Sequence, residues 1–544
     1  MELKQIGGRM RLLCFGVFSC VLAGHALTAL CQTNLLTNGG FEEGEKTPRG
    51  WNLSQGAGEW AREGGNGNSA CLSVGGDGSN NNAWVSEPVT FLPGRVYRLA
   101  FSVRGEKVGG GTVVSGTPFA NVDLGVPGKE WMQHEHVFAV PSRKEDLTVP
   151  IRLGQWELKG NVFFDDVRLA KVEAVYASRG EVLLGEGEKI EGTRYTFDAP
   201  FDSECRNHSR PLFGFTAHYN TCRWCFTAGS GVTYRHALAG RKLLSGTVGV
   251  NCGYYVSGRL LVDASPDMKT WQHVGVLTNA GEVKMDLPAA LFPAEAVYVR
   301  LRGAKPPCTL QIHNYRFGGT VDGEPVTFAG STRYIETESH APKIRVQVLG
   351  LGEGIPGGEN RVGLRVQNAT GAPLTTEACV IFSRPDVVPL TNAAAVILPA
   401  AGAYDVQIPY EVPGVGTWQM SVVLGEAFLA RSAIRVPEFY DDTYGEIIPV
   451  NQPKLNLWRA SSGWKIPQHR ALPRTVAKSL ALRVAKNEWE AVQLVVTPNG
   501  ALTNVTVSVS DLTYMKNKIP GGNVQVLRVG YVPVTVKTDQ TGTL

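Results

Sequence analysis

Tryptophan and asparagine side chains in the first third of the chain could bind a sugar. Sugar rings present flat C–H faces that stack on aromatic rings, and their hydroxyl groups need polar partners at the ring edges. The candidate stacking residues are Trp84, Trp156 and Trp60, and Asn82 is the candidate polar partner. Trp84 directly follows the polar run 80–82 and one alanine. The alternative is that these tryptophans belong to a hydrophobic core, where large aromatic side chains are often found.

Three acidic side chains form a candidate metal site. Glu42 lies near the start of the segment 32–172, and Asp165 and Asp166 lie near its end. If the two ends of this segment lie side by side, the clustered carboxylates would suit a hard cation such as calcium. The sequence therefore predicts a structural calcium ion here. The alternative is that the three acids are solvated charges at the ends of strands.

The segments that carry these residues have the pattern of short antiparallel strands. Val96–Val103 alternates strictly, with Tyr97, Leu99 and Phe101 on one face. The 63 glycines and 31 prolines divide the chain into short runs separated by turns. We therefore predict an all-β fold of serial β-sandwich modules, in which residues 32–172 form the first sandwich, of jelly-roll type.

Four motifs of this first segment resemble those of a known family. The motifs are Asn34–Glu42, Leu92–Tyr97, Glu130–Trp131 and Phe164–Val167. Together, and in this order, they resemble the carbohydrate-binding modules of the family 4/9 type, which have a galactose-binding-like fold. The resemblance implies glycan binding, and modules of this type often carry a structural calcium ion. The same fold also serves as a spacer in other proteins, so fold alone does not assign function.

The next two segments continue the strand pattern. In residues 173–338, a strand ending in the turn Ser265–Asp267 with Trp271, followed by a second strand at 296–303, resembles discoidin-type galactose-binding-like modules. Residues 339–438 have the strand spacing of an immunoglobulin-like sandwich. This third segment contains no cluster of acids, histidines or nucleophiles, so we predict that it is a spacer.

Residues 439–544 resemble the N-terminal β-sandwich domain of glycoside hydrolase family 123. The resemblance is carried by an Ala-Lys-Asn-Glu-x-Glu turn at 485–490, the strand Gln493–Val496 that follows, and Val509–Leu512. In that family a catalytic barrel follows this domain, and its acids perform a substrate-assisted hydrolysis. No alternating β/α pattern follows in this sequence, so we assign no catalytic residue. Glu488 and Glu490 are assigned to a turn of the supporting sandwich.

A Cys-x-x-Cys motif in the second segment has three interpretations. Cys222 and Cys225 could bind zinc with partners from His208, His218, Cys205 and Cys252. A redox pair of this spacing is usually found in a βαβ context, which the sequence lacks. For an exported protein, disulfides or inert thiols are the favoured interpretation.

The N-terminus and the overall charge limit where the protein acts. Residues 1–31 combine a positive start, an apolar stretch and small residues at a cleavage point before Gln32, which is typical of a signal peptide. An uncleaved anchor helix is the alternative. The formal net charge of +4 and the absence of Lys/Arg runs in the sequence exclude nucleic acid as the expected partner. The protein is therefore expected to be secreted, periplasmic or at the cell surface.

Three functional hypotheses follow from these patterns. The leading one is an exported, multi-module protein that binds a polysaccharide or glycan, as the non-catalytic N-terminal part of a glycoside hydrolase acting on N-acetylhexosamine-containing or other glycans. The second is a complete surface adhesin or structural protein without catalytic activity. The third is a hydrolase whose active site lies between modules. None of the three predicts nucleic-acid binding, or membrane contact beyond the signal segment.

Overall fold

The structure is a computed structural model that describes residues 34–531 with short gaps. The gaps are at 143–144, 202–204, 353, 355–359, 386, 437–443, 467–469, 471, 486, 501, 504 and 515. The predicted signal peptide, including its cleavage point, lies outside the described residues, as does the end of the fourth segment.

Strands provide nearly all of the regular structure, which confirms the predicted all-β fold. Within the described residues the helical turns are Ala289–Leu291 and Gly521–Asn523, of three residues each. In the part of the chain that the structure describes, no helix has the length and apolar character needed to cross a membrane. The strands pair mostly in an antiparallel manner, as the many short connections predict.

The first module is a sandwich of two sheets. One sheet has the strand order β1–β4–β11–β7–β8, the other has the order β2–β3–β12–β6–β9, and β5 pairs with β10. The strands are β1 (Trp51–Gln55), β2 (Gly58–Ala61), β3 (Cys71–Asp77), β4 (Asn81–Ser86), β5 (Val89–Phe91), β6 (Val96–Gly109), β7 (Thr112–Thr117), β8 (Ala120–Asp123), β9 (Met132–Ala139), β10 (Leu147–Val149), β11 (Arg152–Trp156) and β12 (Lys159–Arg179).

The core of the first module follows the alternation seen in the sequence. Tyr97, Leu99, Phe101 and Val103 on β6 are all buried, as their shared face predicts. The opening motif, Asn34–Glu42, is not a regular strand. Positive φ angles at Asn38 and Phe41 break its extended path. It nevertheless lies beside β12, because Leu35 N donates to Leu169 O and Val167 N donates to Gly39 O.

The second module continues the first without a break in hydrogen bonding. Its core cluster includes Val96, Val137 and Val172 of the first segment. The strands are β13 (Val182–Leu184), β14 (Glu188–Gly192), β15 (Arg194–Asp198), β16 (Leu212–Phe215), β17 (His218–Asn220), β18 (Arg223–Phe226), β19 (Gly231–His236), β20 (Thr247–Ser265), β21 (Gln272–Leu277), β22 (Gly281–Asp286), β23 (Val297–Thr320), β24 (Val326–Ala329) and β25 (Thr332–Ser339).

The junction between these two modules is extensive. Strand β8 pairs in parallel with β17, so one sheet passes from the first module into the second. The Asn207 amide exchanges hydrogen bonds with the backbone of Ala139, at 2.8 and 3.2 Å. The buried Glu336 carboxylate accepts a hydrogen bond from Arg168 at 2.7 Å. The two modules are therefore joined by main-chain and buried polar contacts rather than by a linker.

The same strands continue into the third module. Strand β12 crosses the predicted boundary at 172/173 and pairs with β25, which then pairs with β32. Further strands are β26 (Ile344–Gly350), β27 (Asn360–Asn368), β28 (Leu374–Arg384), β29 (Val387–Leu398), β30 (Gly402–Tyr410), β31 (Gly416–Leu424) and β32 (Phe428–Val436). They form two sheets around a core of their own, with Trp418 and Phe382 buried in it. The exact module boundaries stay predictions.

The fourth segment has less regular structure than its sequence pattern predicts. Its strands are β33 (Glu446–Ile448), β34 (Leu455–Ser461), β35 (Thr475–Val476), β36 (Val492–Pro498), β37 (Leu512–Tyr514) and β38 (Asn517–Ile519). Residues 480–484 and most of 502–512 alternate in the sequence as strands do, but among the described residues there they form no strand, apart from the start of β37. Alternation alone does not make a strand, because each strand needs a hydrogen-bonded neighbour. A small core forms around the buried Trp458, but many other large apolar side chains in this segment are exposed, Trp489 to 80%.

Candidate functional site

Two of the predicted sugar-binding residues lie in the hydrophobic interior. Trp84 is 4% exposed and donates its indole N–H to Ser73 O at 2.9 Å. Asn82 is 1% exposed, and its amide donates to Gly75 O. Both side chains point inward from β4 because they are two residues apart and therefore share a face. This placement corrects the prediction for both residues, since neither offers a free surface to a ligand.

Trp60 is also held by neighbouring groups. Its indole N–H donates to Phe41 O at 2.9 Å, and the Arg62 guanidinium lies 3.4 Å from the centre of its ring. Its side chain is half-buried against the core of the first module. The arginine covers the ring face on which a sugar would stack. Trp60 is therefore a weaker candidate than the sequence suggested.

Trp156 is the predicted stacking residue that the structure leaves open. It is the last residue of β11, and its side chain is 50% exposed. Its register partners are Asn81 on β4 and Thr112 on β7, one on each side. Because strand residues alternate between faces, Trp156 and Gly154 point away from the core, whereas Leu153 and Gln155 point into it. The ring can therefore receive the flat face of a sugar.

Asn81, which we did not select from the sequence, provides the polar group beside this ring. Its side-chain oxygen is buried and has no hydrogen-bond partner among the described residues. A buried carbonyl oxygen without a partner is unfavourable. Rotation of the Asn81 side chain would bring this oxygen to the surface, where a sugar hydroxyl would supply the missing donor. Period-two alternation could have found Asn81, because Asn82 has to share the face of Trp84 and Asn81 has to take the other.

The floor next to Trp156 consists of small or short side chains. Gly154 is the register partner of both Ala83 and Val114, and these three residues form the next row of the sheet. Ala83 and Val114 are buried although they belong to the outward face. Beyond this row lies Arg152, four residues before Trp156 on the same strand and on the same face. We call the outward side of β4, β11 and β7 around Trp156 and Asn81 the Trp156 face.

The three predicted calcium ligands all contact one loop, Gly65–Ala70. Glu42 Oε1 accepts from Ala70 N at 2.9 Å. Asp165 Oδ2 accepts from Asn66 N at 2.8 Å and from Ser69 Oγ at 2.7 Å. The Asp166 carboxylate accepts from the Asn66 side-chain amide at 2.7 Å. The loop therefore brings Glu42, from near the start of the first module, to the same place as the acids of β12.

The donor chemistry around this loop fits calcium, although three carboxylates do not converge on one point. No group of three or more acidic, histidine or cysteine side chains with metal-binding geometry occurs within the described residues. Instead, Asp165 Oδ2 and the carbonyl oxygens of Ser69 and Ala70 lie 2.6, 2.7 and 2.7 Å from the position that a Cβ on Gly65 would take. One carboxylate and two carbonyls form a set of oxygens typical of calcium ligands.

Burial makes Asp165 sensitive to a nearby positive charge. Its side chain is fully buried, and this burial raises the pKa of the carboxyl group above its usual value. Hydrogen bonds from Ser69, Asp166 and Asn66 act in the opposite direction but do not cancel the effect. A cation at this loop would stabilise the charged form and lower the pKa.

The Cys-x-x-Cys motif lies at a tight hairpin between β17 and β18. Both cysteines are half-buried, and Trp224 between them is completely buried. Burial raises the pKa of Cys225, which disfavours the reactive thiolate. Cys71, Cys222, Cys225, Cys252 and Cys308 are free thiols in the structure, so none of these five takes part in a predicted disulfide. These features agree with the interpretation of the motif as inert thiols.

Glu488 and Glu490 lie at the turn to which the sequence assigned them. Glu488 Oε2 accepts from Ala485 N at 2.8 Å, which closes the local turn. Both side chains are exposed. Glu446, on the neighbouring strand β33, forms an ion pair with Arg459. These contacts support a structural role for the turn.

Comparisons with known proteins give low similarity. No family model matches the chain, and no curated protein matches it. Among solved structures, the N-terminal CBM22-1–CBM22-2 tandem domain of Xyn10C from Paenibacillus barcinonensis is 11% identical, with a TM-score of 0.20, over 52% of this chain and 97% of that one. A Bacteroides uniformis β-glucuronidase is 10% identical, with a TM-score of 0.13. A GH2 β-galacturonidase from Eisenbergiella tayi is 11% identical, with a TM-score of 0.15.

These structures come from carbohydrate-binding and glycoside hydrolase proteins. The similarity to the glucuronidase covers 39% of this chain, and the similarity to the galacturonidase covers 47% of it. It spans only 26% and 44% of the length of those two enzymes. The resemblances to the family 4/9 modules and to glycoside hydrolase family 123 stay predictions from sequence.

Proposed function

We propose that this protein binds a glycan on the Trp156 face. The observation that carries the proposal is the exposed ring of Trp156 beside the unpartnered side-chain oxygen of Asn81. The ring would stack on the C–H face of a sugar, and Asn81 would accept a hydrogen bond from a hydroxyl group.

The larger role that we propose is targeting. The protein is an exported, multi-module glycan-binding chain that acts as the non-catalytic N-terminal part of a glycoside hydrolase. This part of the proposal rests on the sequence motifs of residues 439–544 and on the signal-like N-terminus. It predicts that the chain alone releases no product from aryl N-acetylhexosaminides. Release of product by the purified chain would instead favour the hypothesis of a hydrolase with a site between modules.

A calcium ion at the Gly65–Ala70 loop is part of the same proposal. Asp165 and the loop carbonyls would hold it, with Glu42 and Asp166 close by. The ion would neutralise the buried carboxylate and fix the loop between the ends of the first module. Its role would be structural, because the loop belongs to β3 and β12 of one sheet and Trp156 belongs to the other.

Binding to insoluble polysaccharides tests the glycan site. Trp156→Ala should weaken binding by at least about tenfold, a loss of about 1.4 kcal/mol. Trp489→Ala is the matched control, because Trp489 is also an exposed tryptophan but lies in the fourth segment. Asn81→Ala should weaken binding less than Trp156→Ala does. Unchanged binding in Trp156→Ala, with the melting temperature of the wild type, would exclude this face as the site.

A further inference from the structure

A row of polar residues crosses the junction between the first two modules. Arg152, Gly116, Asn121, Asn220 and Arg223 are successive register partners on five neighbouring strands, β11, β7, β8, β17 and β18. We call these five residues the junction row. Register partners have side chains on the same face, and five strands span four spacings, about 19 Å. The row therefore lies on the same outward side of the sheet as Trp156.

Gly116 makes the first part of this row possible. It has a φ of 111°, and a Cβ there would lie 2.3 Å from Ala120 O. Without a side chain at this position, Arg152 extends over the intervening strand and donates to Asn121 Oδ1. Asn121 in turn donates to Asn220 Oδ1 at 3.1 Å, from the first module to the second. The side-chain amides of Asn121 and Asn220 thus hold the Arg152 guanidinium over the sheet.

Positive charge exceeds negative charge around the row. Within the described residues, the partner of Arg152 is the neutral amide of Asn121, and Arg152 makes no ion pair. Arg223 lies 3.9 Å from Asp123, a carboxylate that also accepts from the Asn121 amide at 2.8 Å. Partial burial lowers the pKa of His218 on β17, and the charges of both arginines lower it further, which shows that the imidazole lies near both. Two arginines therefore share one carboxylate.

We propose that the junction row binds an acidic substituent of the glycan that lies on the Trp156 face. This inference rests on the proposed glycan binding and adds the class of ligand, a polysaccharide that carries carboxylate or sulfate groups. Arg152 and Trp156 lie on the same face of β11, four residues or about 13 Å apart, so one chain of sugars can reach both. A guanidinium presents a planar fork of donors that matches both carboxylate and sulfate oxygens.

Binding of three soluble polymers to the full chain tests this inference. Polygalacturonate supplies carboxylates, heparin supplies sulfates as well, and a mixed-linkage β-glucan is neutral. Arg152→Gln and Arg223→Gln should each weaken binding of an acidic polymer by about tenfold at low salt and leave binding of the neutral polymer unchanged. Raising the salt concentration should weaken acidic binding in the wild type, because partly exposed charges are screened. Arg345→Gln, an exposed arginine of the third module, is the control.

The outcomes separate the inference from the function on which it rests. Binding of polygalacturonate alone, with arginine dependence, identifies the substituent as a carboxylate; binding of heparin alone identifies it as a sulfate. If only the neutral glucan binds, and binding depends on Trp156, glycan binding stands and the acidic ligand is excluded. If an acidic polymer binds with no effect of either arginine variant, the junction row is not the site. If the arginine variants weaken its binding but Trp156→Ala does not, the acidic ligand does not lie on the Trp156 face, and the inference is overturned. Failure of every polymer to bind excludes both proposals.

Arg152→Lys provides a second variant with the charge retained. Lysine keeps the positive charge but loses the planar fork of donors. We expect binding of the acidic polymer between that of the wild type and that of Arg152→Gln. Arg152→Lys could instead behave as Arg152→Gln does and also have a lowered melting temperature. The effect of Arg223→Gln on acidic-polymer binding then decides whether the inference holds, because Arg223 lies in the other module.

Discussion

His136 lies in the core of the first module, and neither of its ring nitrogens has a hydrogen-bond partner among the described residues. The side chain is 7% exposed and lies 6.0 Å from the ring of Phe138, centre to centre. Burial, with a smaller contribution from His134, lowers the pKa of His136 to about 4. The folded protein therefore holds this histidine in its neutral form at every pH above that value.

Because His136 is held in its neutral form, we predict that the folded protein loses stability in mild acid. The unfolded chain binds a proton with a pKa of about 6.5, whereas the folded chain does so only near 4, so folding is opposed as the pH falls from 6.5 towards 4. At pH 5 the loss is about 2 kcal/mol for this group. Chemical unfolding at pH 7 and pH 5 should show a smaller pH dependence in His136→Phe than in the wild type.

Other buried histidines serve as the internal reference for that measurement. Burial also lowers the pKa values of His208 and His236, and both residues are present in the variant as well as in the wild type. Their contribution therefore cancels when the two proteins are compared. An identical pH dependence in the two proteins would mean that His136 gains a proton or a partner in the folded state.

At the scale of single residues, the sequence did not determine which candidates face outward. Trp156 is exposed, as a stacking residue has to be, whereas Trp84 lies in the core, which was the alternative considered from the sequence, and Asn82 points inward with it. The alternation of β4 indicates that Asn81 and Trp84 take opposite faces, but not which face is the core. That choice depends on the partner strand β11, whose Leu153 pairs with Trp84. A single strand does not contain this information.

At the scale of elements, the Gly65–Ala70 loop is where calcium should act. The loop is bonded to Glu42 on one side and to Asp165 and Asp166 on the other. If calcium binds the folded state alone, a concentration 100 times its Kd stabilises the module by about 2.7 kcal/mol. Because the first two modules share one unfolding transition, we expect a chelator to lower the melting temperature by about 4 °C, as measured by thermal unfolding followed by circular dichroism.

Variants of the loop ligands provide the control for this prediction. Asp165→Asn should remove the effect of the chelator, because the carboxylate that faces the loop carbonyls is lost. In Glu43→Gln the chelator should still lower the melting temperature, because Glu43 forms an exposed ion pair with Arg49 away from the loop. A melting temperature of the wild type that is unchanged by chelator and by added calcium would contradict the proposal.

The strands themselves were predicted well where neighbours exist and poorly where they do not. The alternating runs at 96–103 and 416–424 became β6 and β31. Runs of equal alternation at 480–484 and 505–509 did not become strands among the described residues, and their valines and leucines are exposed. The alternation of apolar and polar residues specifies which side chains can share a face. Whether the strand forms depends on hydrogen bonds to a second strand.

At the scale of the whole molecule, the first two modules should unfold together. They share β12, the parallel pair β8–β17 and one hydrophobic cluster. Independent domains are usually joined by linkers that few contacts cross, and each has a hydrophobic core of its own. Scanning calorimetry should therefore show a single transition for both modules rather than two.

Glu336 offers a direct test of this coupling. Its buried carboxylate, on β25, accepts from Arg168 on β12 and lies 3.7 Å from Arg98 on β6. Breaking a buried pair costs 3–5 kcal/mol, and because Arg168 is partly exposed we expect about 2 kcal/mol for Glu336→Gln. The single unfolding transition of the first two modules should move to a lower temperature without splitting into two. Asp405→Asn, which breaks an exposed pair with Arg365 in the third module, should change stability little.

A separate transition for one module in Glu336→Gln would contradict the shared unfolding unit. The sequence did not reveal this coupling. Residues 32–172 and 173–338 each have the length and pattern of a sandwich, and nothing in the alternation of β12 marks its continuation past residue 172. The long-range contacts Asn207–Ala139 and Asn121–Asn220 join residues 68 and 99 positions apart, which local patterns do not report.

Gly116 and its neighbours in the junction row have a consequence for protein engineering. Binding modules are often transplanted between proteins as portable cassettes, on the assumption that the recognition surface travels with the cassette. A graft of the first module alone would carry Trp156, Arg152 and Asn121 but leave Asn220 and Arg223 behind. If the junction row binds acidic groups as we propose, the recipient would carry Trp156 but only one of the two arginines, so its choice between neutral and acidic ligands would differ from that of the parent.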